Sequence, residues 1–422
     1  MDYEKHRNFE YNEKYFDLEN LKKFLYAYLP DYNNFDFVHV AGSKGKGTTC
    51  KIVSDYLSDF SKTGLFISPH VAKINERISV NGKNISDKDF YRINKEVKDF
   101  SGKFFIEKNE KHLTVFEELF VVALKYFYEK KCKYVVLEVG LGGRLDATNV
   151  VLPKVCGLAL VEKEHTDVLG KTIRKILAEK LGIKKTGVPF VIGRQQKNVA
   201  KILIEKFKND KNVLFAQEVF SENVKNKNVF VKIDHDANFV LGYAILNGLL
   251  GSVNRTKFSE LCGDFKMIGR FDERKILINS VKKEVVFDIA HTPKSIENLI
   301  KNLKRKYSNK KFTFVVSIMK DKEILPILRQ ISKIADCVIF TNANKERGEK
   351  TERLKRIFDE ILNFKKRDDK KKKKFLKRMS SVFVKKDPLV AFDFAASDIK
   401  KEDIVVVTGS SFLVSEILNQ RF

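Results

Sequence analysis

Asp36-Phe-Val-His-Val-Ala-Gly-Ser-Lys-Gly-Lys-Gly-Thr-Thr49 reads as a short buried strand running straight into a glycine-rich, lysine-bearing loop. Phe37, Val38 and Val40 are the aromatic and β-branched types that a sheet core favours. Gly42, Gly45 and Gly47 let backbone N–H groups approach an anion with no Cβ in the way. Lys46 offers a point charge to the β- and γ-phosphates of a nucleotide, and Thr48 a hydroxyl to Mg²⁺. A helix expected from Thr48 to Asp59 adds its N-terminal dipole. The spacing is Gly-x-x-Gly-Lys-Gly-Thr, a variant of the usual Gly-x-x-x-x-Gly-Lys-Ser/Thr phosphate loop. The bland alternative is a plain strand-to-helix turn.

Outward from this loop the pattern alternates. Residues 14–30 have helical spacing and end at Pro30; Gly64–Ile67 is a second short strand, broken by Ser68-Pro69-His70. The stretch VAKINERISVNGKNIS that follows reads as a mobile active-site loop. A helix starting at Asp87, an amphipathic segment over 113–127 and a core strand over 134–139 come next. That strand carries Glu138 among apolar neighbours, where a carboxylate is costly unless paired or bound to a metal. It runs into the glycine-rich turn Gly140–Asn149, the place where open α/β sheets hold ligands. Strands over 155–161 and 188–192, with Glu164-His165 and a Glu179-Lys180 helix between them, imply a mostly parallel sheet. A helix over 234–251 precedes Gly269-Arg270, and a second alternation begins with a strand at 284–288 and closes with Asp403–Val407 and Thr408-Gly-Ser-Ser.

A chain of 422 residues exceeds one core and predicts two domains or three. Nothing in it approaches the ~20 apolar residues of a membrane span, and residues 1–13 have no secretory apolar region. Five scattered cysteines without a CxxC predict reduced thiols in the cytoplasm. The net charge of +26 has three readings: nucleic-acid binding, attraction of polyanionic small substrates, or a lysine-biased composition. The run Lys365–Lys377 lacks interleaved stacking aromatics beyond Phe375, so it reads as a solvated segment and no nucleic-acid partner is expected.

Ser68, Glu138 and His165 are O, O and N donors that suit a Mg²⁺ beside ATP, although any one alone, like His70, is more often structural. Arg144 has the plain alternative of pairing with Asp146 or a carbonyl. The segments VAGSKGKGTTC, SPHVAKINERISVNGKNIS, LTVFEELF, VVLEVGLGGRLDATN, EHTDVLGKT, EKLGIKKTGVP, IGRF, FDIAHTP, MKDKE and VVVTGSSFLV occur in this order over nearly the whole length. The chain resembles the folylpolyglutamate synthase/dihydrofolate synthase family of the Mur ligase superfamily.

The resemblance implies an α/β fold: an N-terminal P-loop nucleotide-binding, Mur-ligase-type domain with a mostly parallel sheet over 1–270, a linker at 271–283, and a smaller C-terminal Rossmann-like α/β domain over 284–422, with ATP in the cleft between the domains. It implies nucleotide contacts at Gly42, Ser43, Lys44, Gly45, Lys46, Gly47, Thr48, Asn238, Arg270, Asp288 and His291. It implies Mg²⁺ ligands, for two ions, at Thr48, Ser68, Glu138, His165 and a carboxylated Lys180, and catalytic roles for Lys46, Lys180 and His291. The departures are Ser43 for Thr, Lys44 for Asn, Glu164 for Asp and Thr292 for Asn. The implied reaction adds L-glutamate to a folate or folylpolyglutamate through an acyl phosphate, with dihydropteroate as a further candidate substrate, in a cytoplasmic monomer. Two rivals remain open: another Mur-type amide ligase, and a non-enzymatic nucleotide-gated binding protein. For Lys180 the plain alternative is a pair with Glu179 or another acid on an exposed helix face.

Overall fold

The computed structural model describes residues 18–108, 112–223, 237–278, 281–367, 381–398 and 403–422. Most of the basic run Lys365–Lys377, the N-terminal residues 1–13 and the expected helix start at 234–236 lie outside the described residues. The chain divides into two compact units, Met1–His70 with Ile74–Phe265, and Val71–Lys73 with Lys266–Phe422.

The first unit is built on strands β1 (Asp36–Ala41), β2 (Thr63–Phe66), β3 (Ile78–Val80), β4 (Lys83–Asn84), β5 (Tyr134–Glu138), β6 (Pro153–Leu158), β7 (Phe190–Ile192) and β8 (Val213–Phe215), ordered β4-β3-β2-β5-β1-β6-β7-β8. The six strands from β2 to β8 in that order are parallel; β3 and β4 add antiparallel at the edge. β1 lies between β5 and β6, and its residues alternate between two cores, as the strand period of two requires. Phe37 packs with Phe66, Val135 and Leu137 under the helices Leu18–Tyr28, Asp87–Lys108 and Val115–Glu129. Val38 and Val40 pack with Leu65, Val136 and Val155 against the helices Lys46–Ser58 and Ala237–Leu250. Sheets covered on both faces read as continuous apolar runs, which is why β1 and β5 were legible. The β1–β5 register sets Glu138, the last residue of β5, beside Val40, just before the glycine loop.

The second unit holds β9 (Asp272–Ile278), β10 (Val281–Phe287), β11 (Phe312–Val316), β12 (Cys337–Phe340), β13 (Ser381–Val384) and β14 (Ile404–Thr408), ordered β13-β12-β11-β14-β10-β9. Among the described strands of this unit only β9 runs antiparallel, to β10.

Two expectations need correction. Residues 271–283 are not a linker but mostly the β9–β10 edge of the second sheet, and the units divide at Phe265/Lys266. Glu273, Lys275 and Leu277 of β9 are exposed while Asp272, Arg274 and Ile276 are partly buried. An edge strand with one wet face carries charges and so resembles a connector. The stretch read as a mobile loop after His70 contains a short 3₁₀ turn, Ile74–Arg77, and the β3–β4 hairpin closed by Asn81-Gly82, both at positive φ (47° and 72°). Asn-Gly is the strongest short hairpin signal, and it was present in the sequence.

Candidate active site

β1 ends at Ala41 and the next helix begins at Lys46, so residues 42–45 form the turn of the glycine-rich loop. Gly45 is the N-cap at φ 88° and contributes no side-chain cap. A Cβ there would stand 2.1 Å from Asn238 Oδ1, which places Asn238 against the loop. A Cβ on Gly47 would come within 2.9 Å of Glu138 Oε2, so the glycine lets the carboxylate reach the first turn of the helix.

The loop is pinned from the β6 side. The N–H groups of Ser43 and Lys44 donate to Leu160 O (2.7 and 3.1 Å). Ser43 Oγ donates to Glu162 O and accepts from Glu162 N–H, both at 3.0 Å, so its hydroxyl is occupied by scaffold. Gln195 holds the same segment, accepting from Val161 N–H and donating to Ala159 O.

Four charged side chains meet here. Glu138, 5% exposed, accepts from the backbone N–H of Ser68 (2.9 Å) and lies 3.9 Å from Lys46 Nζ. Lys180, 2% exposed, donates to Gly42 O (2.9 Å) and to Glu164 Oε1 (3.1 Å). Burial lowers the Lys180 pKa to about 8, with Glu164 opposing and Lys46 reinforcing. Burial works to raise the Glu164 pKa, but Lys180, Lys46 and Lys44 together hold it below the ordinary carboxylate value. His165, at φ 47° on the N-cap of the short helix Thr166–Leu169, has its pKa lowered chiefly by burial, which favours the neutral ring that can ligate a metal.

Several sequence expectations change. Lys180 does not pair with Glu179 on the surface; Glu179 instead takes Arg144 (2.9 Å), which does not reach Asp146. Asp146 is buried and accepts from the N–H groups of Leu141 and Thr148, so its carboxylate shapes the Gly140–Asn149 turn from within. The strand expected over 155–161 is β6, Pro153–Leu158, which stops short of Val161, so His165 stands beyond the strand in the segment that opens the helix Thr166–Leu169. Glu164, named from the sequence only as a departure from the family's usual Asp before His165, belongs to the cluster through its contact with Lys180.

In the second unit Asp288 follows β10 and accepts from Phe271 N–H (2.9 Å) and Ala290 N–H (2.8 Å), holding Phe271 at φ 49°. Burial raises its pKa against the pull of Arg270. His291 Nδ1–H donates to Ile289 O (2.9 Å), so the neutral ring presents Nε2 as its acceptor. Thr292 caps the helix Pro293–Lys306 by accepting from Ser295 N–H, a duty its hydroxyl performs without an amide.

Residues 40–254 match the Mur ligase middle domain family, and residues 269–411 match the Mur ligase, glutamate ligase domain family. The chain belongs to the Mur ligase family. Among its relatives, dihydrofolate synthetase of Saccharomyces cerevisiae is 28% identical over 345 residues, 75% of this chain and 78% of the yeast protein. Dihydrofolate synthase/folylpolyglutamate synthase of Bacillus subtilis is 26% identical over 405 residues, 90% of this chain and 89% of that protein. The solved structure of E. coli FolC in complex with ADP matches with a TM-score of 0.71 and 25% identity, covering 95% of this chain and 93% of that one. The α/β architecture with a large, mostly parallel sheet and a second sheet in the C-terminal part is the fold this chain shares with that structure.

The donors of this Mur ligase suit a divalent cation beside phosphate. Glu138 is an anionic oxygen held at the loop, and the helix start at Gly45 offers the N-terminal end of a dipole. Among the described residues no three His, Cys, Asp or Glu side chains gather closely enough to cage a metal by themselves. Among the described residues no helix is long and apolar enough to cross a membrane.

Proposed function

We propose that this Mur ligase joins L-glutamate to a folate with ATP, acting as a folylpolyglutamate synthase, and that dihydropteroate is tested as a second acceptor because two relatives carry dihydrofolate synthesis in their names. The observation that carries the reading is the glycine loop with Lys46 and the buried Glu138 converging at its helix. A carboxylate oxygen of the folate attacks the γ-phosphorus, the bond to the β-bridging oxygen breaks, and ADP leaves. The glutamate amine then attacks the acyl phosphate carbon, and phosphate departs as the amide forms.

In this scheme the Lys46 ammonium and the loop N–H groups oppose charge on the transferring phosphoryl group, where electrostatics and positioning supply most of the rate. Thr48, Ser68, Glu138, His165 and Lys180 are the residues that would hold Mg²⁺, two ions on this reading, and the cation neutralises phosphate charge. Lys180 would serve as its carbamate, formed when the neutral amine adds to CO₂ and releases a proton. Its burial against Gly42 and Glu164 supports that role over a surface one. Arg270, Asp288 and His291 are the second unit's proposed contribution to ATP use. The working protein is taken as a cytoplasmic monomer whose five cysteines are free thiols.

The test uses purified protein with ATP, Mg²⁺ and labelled glutamate, offered reduced folates or dihydropteroate. ADP release that requires both a folate-type acceptor and glutamate is the expected result. ADP release stimulated by nucleic acid without either would overturn it.

A further inference from the structure

Glu164 poses a physical problem. A carboxylate at the mouth of a phosphate-binding loop repels a triphosphate, and its side chain is only 16% exposed, so water screens it poorly. Its location is nevertheless tightly set. Glu162, two residues earlier, is tied to Ser43 of the loop by the reciprocal hydroxyl contacts at 3.0 Å, and the Glu164 carboxylate contacts Lys180 Nζ at 3.1 Å. Lys180 is bonded in turn to Gly42 O, the first carbonyl of the same loop. Lys44 approaches Glu164 Oε2 at 3.9 Å, beyond hydrogen-bond length, and its side chain is 49% exposed. The same acid therefore has one short, buried lysine partner and one loose, half-exposed one. The loose partner is on the nucleotide loop.

We infer that Glu164 is a positioning residue that fixes the Lys180 side chain against the loop, and that Lys44 is its exchangeable counter-cation, which leaves the carboxylate for a phosphate group when nucleotide enters. The short contact keeps Lys180 in place for the chemistry: the ammonium donates to Glu164 before CO₂ adds, and the carbamate nitrogen keeps one N–H that can make the same hydrogen bond. The long contact offsets the repulsion that Glu164 would otherwise direct at the incoming anion, and it costs little to break because the ammonium is already half in water. This inference rests on the ligase reading for what Lys180 does, but the exchange itself is a statement about nucleotide binding.

The experiment measures binding of ADP and of a non-hydrolysable ATP analogue, without folate or glutamate, alongside turnover. Glu164→Gln keeps the shape and removes the charge. It is expected to bind nucleotide several-fold to about tenfold more tightly, because Lys44 is released to the phosphates, while kcat falls by about tenfold or more because Lys180 loses its anchor. Lys44→Ala should weaken nucleotide binding in the native background, and in the Glu164→Gln background it should erase the gain. Glu164→Asp retains the charge, and it should recover more of kcat than Gln does, which a role in packing alone would not produce. If Glu164→Gln fails to fold, the Lys44→Ala and Glu164→Asp variants carry the test. Unchanged nucleotide affinity in Lys44→Ala overturns the exchange, and equal kcat in the Asp and Gln variants overturns the positioning. A wild-type protein that binds nucleotide but makes no folate product sinks the ligase reading and leaves the binding measurements to decide the exchange.

Discussion

Lys46 and His39 stand on either side of Gly42 and do opposite things with charge. Lys46 brings a cation to the loop, 3.9 Å from Glu138, and removing it empties no core volume. Lys46→Ala should therefore lower kcat for ADP formation by roughly 10²–10³-fold with an unchanged melting temperature; normal turnover by the folded variant would remove the loop from the chemistry. His39 is fully buried on β1, with Nε2 2.8 Å from Thr148 Oγ1. The Thr148 hydroxyl donates to the Asp146 carboxylate, so it must accept from His39 Nε2–H, which leaves the neutral ring with Nδ1 lacking a hydrogen-bond partner. Burial, assisted by Lys185, drops its pKa from 6.5 to about 3. The sign follows: below pH 6.5 the unfolded chain takes up a proton that the folded chain refuses until about pH 3. His39 alone should then cost the fold about 1.4 kcal/mol per pH unit as pH falls through that window. Urea unfolding from pH 7.5 to pH 5 should show a steeper loss in the native protein than in His39→Gln; identical slopes would mean His39 does not control it.

At the scale of elements, the turn between β1 and the helix Lys46–Ser58 is shaped by what a side chain would strike. Gly45→Ala forces an L-residue to φ 88° and drives its Cβ into Asn238 Oδ1. The backbone term alone is about 1 kcal/mol, and the displaced Asn238 adds to it. The expected result is a melting temperature lower by several degrees and nucleotide affinity reduced about tenfold or more. Calorimetry and ADP titration check both, and an unperturbed affinity would mean that the turn does not meet nucleotide. The β9–β10 hairpin makes a complementary point: its half-wet, charged alternation is an element in its own right, although its composition suggests a connector.

For the whole molecule, the two units have separate cores and separate sheets, and one reaction must use both if the ligase reading holds. Asp288 orders the turn after β10, and His291 begins the approach to the helix Pro293–Lys306. Asp288→Ala and His291→Ala should each raise KM for ATP or lower kcat by about tenfold or more, with the first unit's stability untouched. Steady-state ATP kinetics decide this; native kinetics in both variants would confine ATP use to the first unit.

Much of this was legible because it is local. The apolar run of β1, the glycines and lysine after it, and a glutamate ending the next buried strand all lie within short windows, where period and turn chemistry act directly. The sequence by itself determined the α/β class, the phosphate loop and the prominence of Glu138. Periodicity left open whether Lys175 or Lys180 turns inward, because a nine-residue helix with modest apolar bias does not announce its buried face, and it was the family resemblance that named Lys180. The packing of that helix beneath Gly42 turns Lys180 inward, and only then does Glu164, 16 residues away in the chain, acquire its partner. A buried ion pair is a property of two segments brought together. Neither segment encodes the low-dielectric surroundings that make the pair matter.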